Sequence, residues 1–187
     1  MSGRHIGIVP RPCRSPGSSL HATHPRAVAA IAVGRCGALA ASDDSPYAPT
    51  ADHIQTIHDC LEASAGATRR DIAHDCIGIV ADPCLEDPEN QHTHGMAGCA
   101  RREEAIWDGL LNDWYAMARD AMPAGVATEY RDVQRLWIKW RDAKCGFAHA
   151  RFEGGTAGIP ASAYCSMETT AERALELRDL VEEFADR

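Results

Sequence analysis

The chain has 187 residues, of which 45% are apolar and 25% charged, an ordinary composition for a globular protein with a hydrophobic core. Its formal net charge of −8 is unevenly spread, since residues 1–41 hold five arginines and no acid and residues 42–187 therefore carry −8 − 5 = −13. With this much negative charge, residues 42–187 are not expected to bind nucleic acid or an anionic membrane. They would attract a basic partner instead.

The N-terminal segment has the layout of an export signal. Residues 1–26 are rich in Arg, Pro, Ser and Gly and predict disorder, whereas residues 27–41 are small and apolar. Residues 38–40, Ala-Leu-Ala, match a small-x-small cleavage site before Ala41. We therefore predict a signal peptide that ends here, although Arg35 interrupts its apolar run. The alternative is a plain basic, disordered N-terminus.

Two short helices, each with a cysteine, are predicted after a proline-containing linker at residues 42–50. They span residues 52–63 and 68–80 and carry Cys60 and Cys76. An antiparallel helix pair with a cysteine on each facing side is typical of a disulfide-stapled hairpin.

Two long helices follow an irregular loop that contains two prolines. The periodicity of apolar residues predicts the first from near Thr93 to about Ala121. The second runs at least from Glu129 to Cys145, a stretch without Gly or Pro. Because the joint at Pro123 is short, we expect the two helices to pack antiparallel.

The second long helix is predicted to be the core helix of the fold. Tyr130, Val133, Trp137 and Trp140 fall at steps of three and four, which places them on one face. Two of the four tryptophans lie here, so we expect this face to supply much of the apolar area of the core.

A glycine-rich loop at residues 146–167 precedes the last helix. Thr169 and Glu172 match a capping box, which predicts that this helix begins there and continues to about Ala185. No stretch predicts a strand, and none outside the N-terminal segment approaches the roughly 20 apolar residues of a membrane span. The predicted fold is all-α, a small disulfide-stapled helical bundle with a long antiparallel helix hairpin, in a single domain over residues 51–187.

The chain has eight cysteines and no C-x-x-C pair, which favours disulfides in an oxidising compartment over zinc ribbons or thioredoxin-like redox sites. Removal of the N-terminal segment would leave six cysteines, for which about fifteen pairings are possible. Pairing of neighbours gives Cys60–Cys76, Cys84–Cys99 and Cys145–Cys165. The alternative is free buried thiols in a cytosolic protein.

A set of cysteines, aromatic residues and polar residues recurs in order along the last three helices. Its first half is Cys99, Glu103, Trp107-Asp108, Leu111-Asn112 and Tyr115. Its second half is Gln134, Trp137-Ile138, Arg141-Asp142, Cys145, Gly154-Gly155, Cys165, Thr170, Arg173 and Leu177. In order and spacing these residues resemble the LprI-type lysozyme inhibitor family over about residues 96–178. The resemblance implies a small, exported helical protein, with a cysteine-rich segment at 51–95 and an LprI-like core at 96–187.

Four polar residues of the two long helices are predicted to form a structural network. If the joint lies near Ala124, positions at equal distance from it face each other. Glu103 then lies within a turn of Arg141, and Asn112 lies near Gln134. We expect Glu103 and Arg141 to form a partly buried ion pair that touches no ligand.

Two groups of residues are candidates for a metal site. The first is Cys84, His92, His94 and Cys99, whose spacing differs from that of common zinc modules. The second is His58-Asp59 with His74-Asp75, which is similar to the paired ligands of helical metal-dependent hydrolases but lacks further converging ligands. Because each His-Asp pair lies beside a cysteine, a disulfide explains these segments better, and we expect neither an active site nor a cofactor or metal.

Taken together, these features predict an exported, periplasmic or secreted binding protein rather than an enzyme. The resemblance implies that it occludes a lysozyme-like muramidase, with a basic partner docking on its acidic surface. The runner-up is a periplasmic structural or envelope-stress protein with no lysozyme partner. A helical metal-dependent hydrolase that uses the His-Asp pairs is the third alternative.

Overall fold

A computed structural model describes residues 45–64 and 73–185, and the structural statements below concern this part of the chain. Its helices are α1 (Ala51–Ala63), α2 (Ala81–Glu86), α3 (Thr93–Ala121), α4 (Ala124–Ala150) and α5 (Gly158–Ala185), with a 3-10 turn at Pro88–Asn90. No strand occurs in these ranges, and the predicted all-α class is confirmed. The predicted disordered N-terminus, the signal peptide and the turn and helix start at residues 65–72 lie outside the described residues.

Helix α5 packs along α3 in a parallel direction. Near their first turns, Ala163 and Met167 of α5 share a small cluster with Ala97 and Ala100 of α3. Ser166 donates a hydrogen bond to Glu104 in the same region. Small alanine side chains let the two backbones approach closely, and this is the most extensive contact between helices of the described part of the chain.

Helix α4 runs antiparallel to α5 and α3. Cys145, late in α4, is bonded to Cys165, early in α5, whereas Gln134 accepts a hydrogen bond from Arg173 further along α5. The predicted antiparallel hairpin of α3 and α4 has few direct contacts. Tyr115 stacks on Tyr130 near the joint, with ring centroids 5.0 Å apart. Most of the packing of both helices is instead against α5.

The core is organised around Trp107 of α3, which is fully buried. It belongs to one cluster with Ile57 and Leu61 of α1 and with Leu175 and Leu177 of α5. Each fully buried large apolar side chain of this kind contributes roughly 1.5–3 kcal/mol. The cluster therefore joins the cysteine-rich segment to the long helices.

The prediction that α4 is the core helix is wrong. Its buried residues are Tyr130, Gln134 and Cys145, whereas Val133 and Trp140 are exposed. Apolar periodicity identifies one face of a helix but does not determine how much of that face a neighbour covers. Helix α5 contacts only one edge of α4, so half of the predicted face points away from the protein.

The predicted start of the last helix at Thr169 is also wrong, because α5 begins at Gly158. Thr169 is buried in the helix interior and accepts a hydrogen bond from Lys144. Helix α4 continues to Ala150, so the glycine-rich loop is much shorter than predicted. Because a capping-box pattern involves only two residues, it can also occur in the interior of a helix, as it does here.

The second cysteine-bearing segment is not the continuous helix predicted up to residue 80. Residues 75–80 form turns, and α2 occupies part of the predicted irregular loop. Gly78 has φ +98°, a left-handed conformation that suits glycine and ends helical structure there.

The second half of the predicted linker is packed against α3 rather than free. A Cβ atom at Gly98 would lie 2.5 Å from the ring of Tyr47, so glycine is required for this approach. The Tyr47 hydroxyl donates a hydrogen bond of 3.1 Å to Oδ1 of Asn90. Arg102 lies 5.6 Å from the ring centroid and donates to the carbonyl of Pro46 at 2.8 Å.

Within the described ranges three disulfides connect neighbouring cysteines, which is the nearest-neighbour set among the pairings that the sequence leaves open. They are Cys60–Cys76, Cys84–Cys99 and Cys145–Cys165. No helix within the described ranges is both long and apolar enough to cross a membrane.

The Cys145–Cys165 disulfide should be important for stability, because α4 has little other buried contact. We expect the Cys145→Ser/Cys165→Ser double variant to lose about 3 kcal/mol of unfolding free energy, the chain-entropy value for a loop of this length. Urea unfolding, followed by circular dichroism under non-reducing conditions, measures the loss. An unfolding midpoint equal to that of the parent protein would contradict the expectation.

Candidate binding surface

Glu103 of α3 is a fully buried carboxylate that holds the cysteine-rich segment in place. Its Oε1 accepts hydrogen bonds from the Gly78 N–H at 2.7 Å and from Nε1 of Trp107 at 2.9 Å. Its Oε2 accepts from the N–H groups of Val80 and Ala81, at 2.9 and 2.8 Å. Val80 and Ala81 begin α2, so Glu103 satisfies the N–H groups that a helix start leaves unpaired.

The predicted ion pair between Glu103 and Arg141 does not form. Arg141 instead contacts Asp142, with Nη2 at 3.0 Å from Oδ1, and donates a hydrogen bond to the Thr170 hydroxyl at 3.4 Å. Its positive charge acts on Glu104, the residue after the predicted partner. Equal distance from the joint does not bring side chains together here, because α3 and α4 do not pack against each other along their length.

The other two members of the predicted network also have separate partners. Gln134 is buried and accepts a hydrogen bond of 3.0 Å from Nε of Arg173 on α5. Asn112 is exposed and donates hydrogen bonds to Asp108 on its own helix. The predicted single network is therefore wrong, and its four residues form separate contacts.

The two candidate metal groups are not assembled as sites. Cys84 and Cys99 are joined in a disulfide and so cannot act as thiolate ligands. His92 caps α3, its Nδ1 accepting from the Gly95 N–H at 3.2 Å. Within the described ranges, no group of three or more His, Cys, Asp or Glu side chains could hold a metal ion.

An acidic cleft follows the C-terminal half of α5 on the side of α1. It consists of two adjoining hollows of about 290 and 200 Å³ that share Arg178. The carboxylates that line this cleft are Glu62, Glu172, Glu176, Asp179 and Glu182. His58 lines one hollow and His74 the other, so the two His-Asp pairs do not converge.

The polar groups of the acidic cleft are incompletely paired. Among the described residues, Nε of Arg178 and Oδ1 of Asp179 are buried without a hydrogen-bond partner, although Nη2 of Arg178 lies 3.8 Å from that oxygen. Glu62 and Glu172 are exposed, and within the described part of the chain neither of their carboxylates has a hydrogen bond or an ion pair. A guanidinium or ammonium group from a partner would find carboxylate acceptors here.

A second surface, the α4 stripe, is apolar. Its residues and their exposed fractions are Val126 (44%), Val133 (52%), Leu136 (65%), Trp140 (53%) and Phe147 (70%). Helix α4 has five basic residues and three acidic ones, whereas α5 has two basic and six acidic ones. The two surfaces therefore differ both in charge and in polarity, and they suit different partners.

The order of residues along α3, α4 and α5 is that of a known family. A family model described as "Lysozyme inhibitor LprI" matches residues 84–177, which is half of the chain. The chain belongs to the LprI family. It is also similar to an uncharacterized protein of Rhizobium meliloti (strain 1021), with 35% identity over 97 residues, 45% of this chain and 70% of that protein. No solved structure matches the chain.

The match to the LprI family covers α3, α4 and most of α5, together with two of the three disulfides. It includes Glu103, the α4 stripe and the part of the acidic cleft that contains Glu172 and Glu176. Helix α1 and its Cys60–Cys76 disulfide precede the matched residues. The family region thus contains the three-helix framework, and the cysteine-rich segment is packed onto it.

Loss of the Glu103 carboxylate should destabilise the protein severely. The Glu103→Gln variant keeps the side-chain shape but places an amide group among four N–H donors, so we expect a loss of about 3 kcal/mol of unfolding free energy. Urea unfolding with intact disulfides measures this loss. Glu168→Gln, at an exposed position of α5, is the matched control. Equal unfolding midpoints for the two variants would show that Glu103 does not hold the segment.

Glu104 should make stability depend on pH in the acidic range. Burial raises the pKa of Glu104 above its ordinary value of 4.5, against the opposing effects of the Ser166 hydrogen bond and the Arg141 charge. Because the folded protein binds this proton more tightly, the stability contribution is full below 4.5 and is lost as pH rises through the folded pKa.

We expect the Glu104→Gln variant to lack this fall. The comparison is urea unfolding of the parent protein and the variant across the acidic range, with Glu168→Gln as the control. Parallel pH profiles for all three proteins would contradict the assignment.

Proposed function

We propose that this protein is an exported inhibitor that occludes a basic, lysozyme-like muramidase. Membership of the LprI family carries this proposal, because the matching family is described as a lysozyme inhibitor. An inhibitor of this kind needs a rigid surface that complements its target and no catalytic residues of its own. Three disulfides and a buried carboxylate anchor supply that rigidity.

The acidic cleft is the surface that fits a basic muramidase best. Five carboxylates and a single arginine line it, and adjacent α1 carries three acids and neither Lys nor Arg. Complementary charge of this kind raises the association rate and favours basic partners over others. Arginine or lysine side chains of the muramidase would enter the cleft and approach the unpaired Glu62 and Glu172.

Export agrees with this function, since the cell-wall substrate of a muramidase lies outside the cytoplasm. The three disulfides suit an oxidising compartment. The first 41 residues have the basic, apolar and small-residue order of a signal peptide, which is the expected means of export to such a compartment.

A periplasmic structural or envelope-stress protein is the second candidate function. The observation that favours it is the α4 stripe, whose exposed aromatic residues are unusual for a monomer and whose helix carries excess positive charge. Such a surface would repel a basic muramidase, so it suits a different partner.

Inhibition should depend on the acidic cleft. We expect the purified full chain to slow the clearing of a cell-wall suspension by a basic lysozyme at low salt. The Glu62→Lys/Glu172→Lys variant should weaken binding at least tenfold, because it places positive charge where the partner brings its own. Surface plasmon resonance at increasing salt should show a falling association rate and a steadier dissociation rate.

The matched control is the Glu86→Lys/Asp113→Lys variant, which changes the net charge equally at exposed positions outside the cleft. It should retain nearly all of the affinity. Equal losses for the two variants would assign the effect to net charge alone. Absence of inhibition by the parent protein at low salt would refute the proposed function.

A further inference from the structure

The α4 stripe has the spacing of a helix-pairing surface. Val126, Val133, Trp140 and Phe147 follow one another at steps of seven, and Leu136 lies between the middle two. A repeat of seven residues keeps apolar side chains on one side of a helix and packs them into a neighbouring helix. The stripe extends roughly 30 Å along α4, at about 1.5 Å per residue.

The stripe is complementary to itself when a second copy lies antiparallel. We propose that two copies of this protein pair through α4 about a two-fold axis near Leu136 and Trp137. Residues at equal distances on opposite sides of that point then face each other across the interface. Val126 faces Phe147 of the second copy and Val133 faces its Trp140, so each small side chain lies opposite a large one.

The charges beside the stripe follow the same symmetry. Glu129 lies within the stripe, and Lys144 lies at the same distance on the other side of the axis. In the described part of the chain the Glu129 carboxylate has no hydrogen bond or ion pair. The Lys144 ammonium group donates one hydrogen bond to the Thr169 hydroxyl and lies 5.0 Å from the Trp140 ring. The ammonium group has further donors, so it can also bind the carboxylate of the facing copy. The two-fold axis therefore places Glu129 of each copy opposite Lys144 of the other, which makes two pairs of opposite charge across the interface.

The same charges argue against other occupants of the stripe. Glu129 would face the acyl chains if α4 lay on a lipid surface, which is costly for a carboxylate. A basic muramidase would meet the excess positive charge of α4. A second copy would cover the apolar side chains and also pair the charges. An isologous two-fold interface requires such a self-complementary surface.

Sedimentation equilibrium of the full chain, from about 1 to 100 µM, tests the pairing. We expect a reversible dimer. Glu129→Lys and Lys144→Glu should each weaken it at least tenfold, because each opposes like charges twice. An equimolar mixture of these two variants should form a heterodimer of nearly parental affinity, since both of its cross-interface pairs are then opposite in charge. Circular dichroism checks that each variant is folded.

Two further variants give a matched apolar control. Leu136→Glu should abolish the dimer, whereas Met117→Glu, at an exposed position of α3 outside the stripe, should retain it. A parent protein that stays monomeric at about 100 µM overturns the proposal, as does a dimer insensitive to Leu136→Glu. A monomer that sediments with phosphatidylglycerol vesicles also overturns it and assigns the stripe to a membrane.

Discussion

The arrangement of the whole molecule depends on one buried carboxylate. Glu103 accepts three backbone N–H groups from residues 78–81 and a fourth hydrogen bond from Trp107, the largest side chain of the core. A buried charge is stable only when hydrogen bonds replace its lost water, and here the replacement comes from a segment distant in sequence. The cysteine-rich segment therefore cannot leave α3 without exposing an uncompensated charge inside the protein.

The central position of α5 explains why the two faces of the protein differ so much. Helix α5 packs on α3 through small side chains and on α4 through a narrow edge that includes Gln134 and Cys145. Its opposite side, with α1, holds the acidic cleft. Because α4 is held along one edge, its apolar residues remain exposed on the other side, and acidic and apolar surfaces can be used at the same time.

Rigid anchoring by the disulfides and by Glu103 suits a surface that acts by binding, as the proposed function requires. The cysteines that could have been nucleophiles or ligands are joined in disulfides, and His92 caps a helix. The matching family is described as a lysozyme inhibitor, and under the proposed function the acidic cleft would receive a basic target. Pairing of two copies through the α4 stripe, as proposed above, would place two acidic clefts in one dimer.

The sequence by itself determined the all-α class, the bounds of α1 and α3 and the family, because periodicity, short loops and residue order are local properties of the chain, whereas the choice among the possible disulfide pairings came from the structure. It also predicted that Glu103 is partly buried, as one member of an ion pair between the two long helices. Only the tertiary structure decided that backbone N–H groups, rather than Arg141, surround Glu103. The exposure of Val133 and Trp140 was decided in the same way, since the packing of a third helix determines which face of α4 is covered.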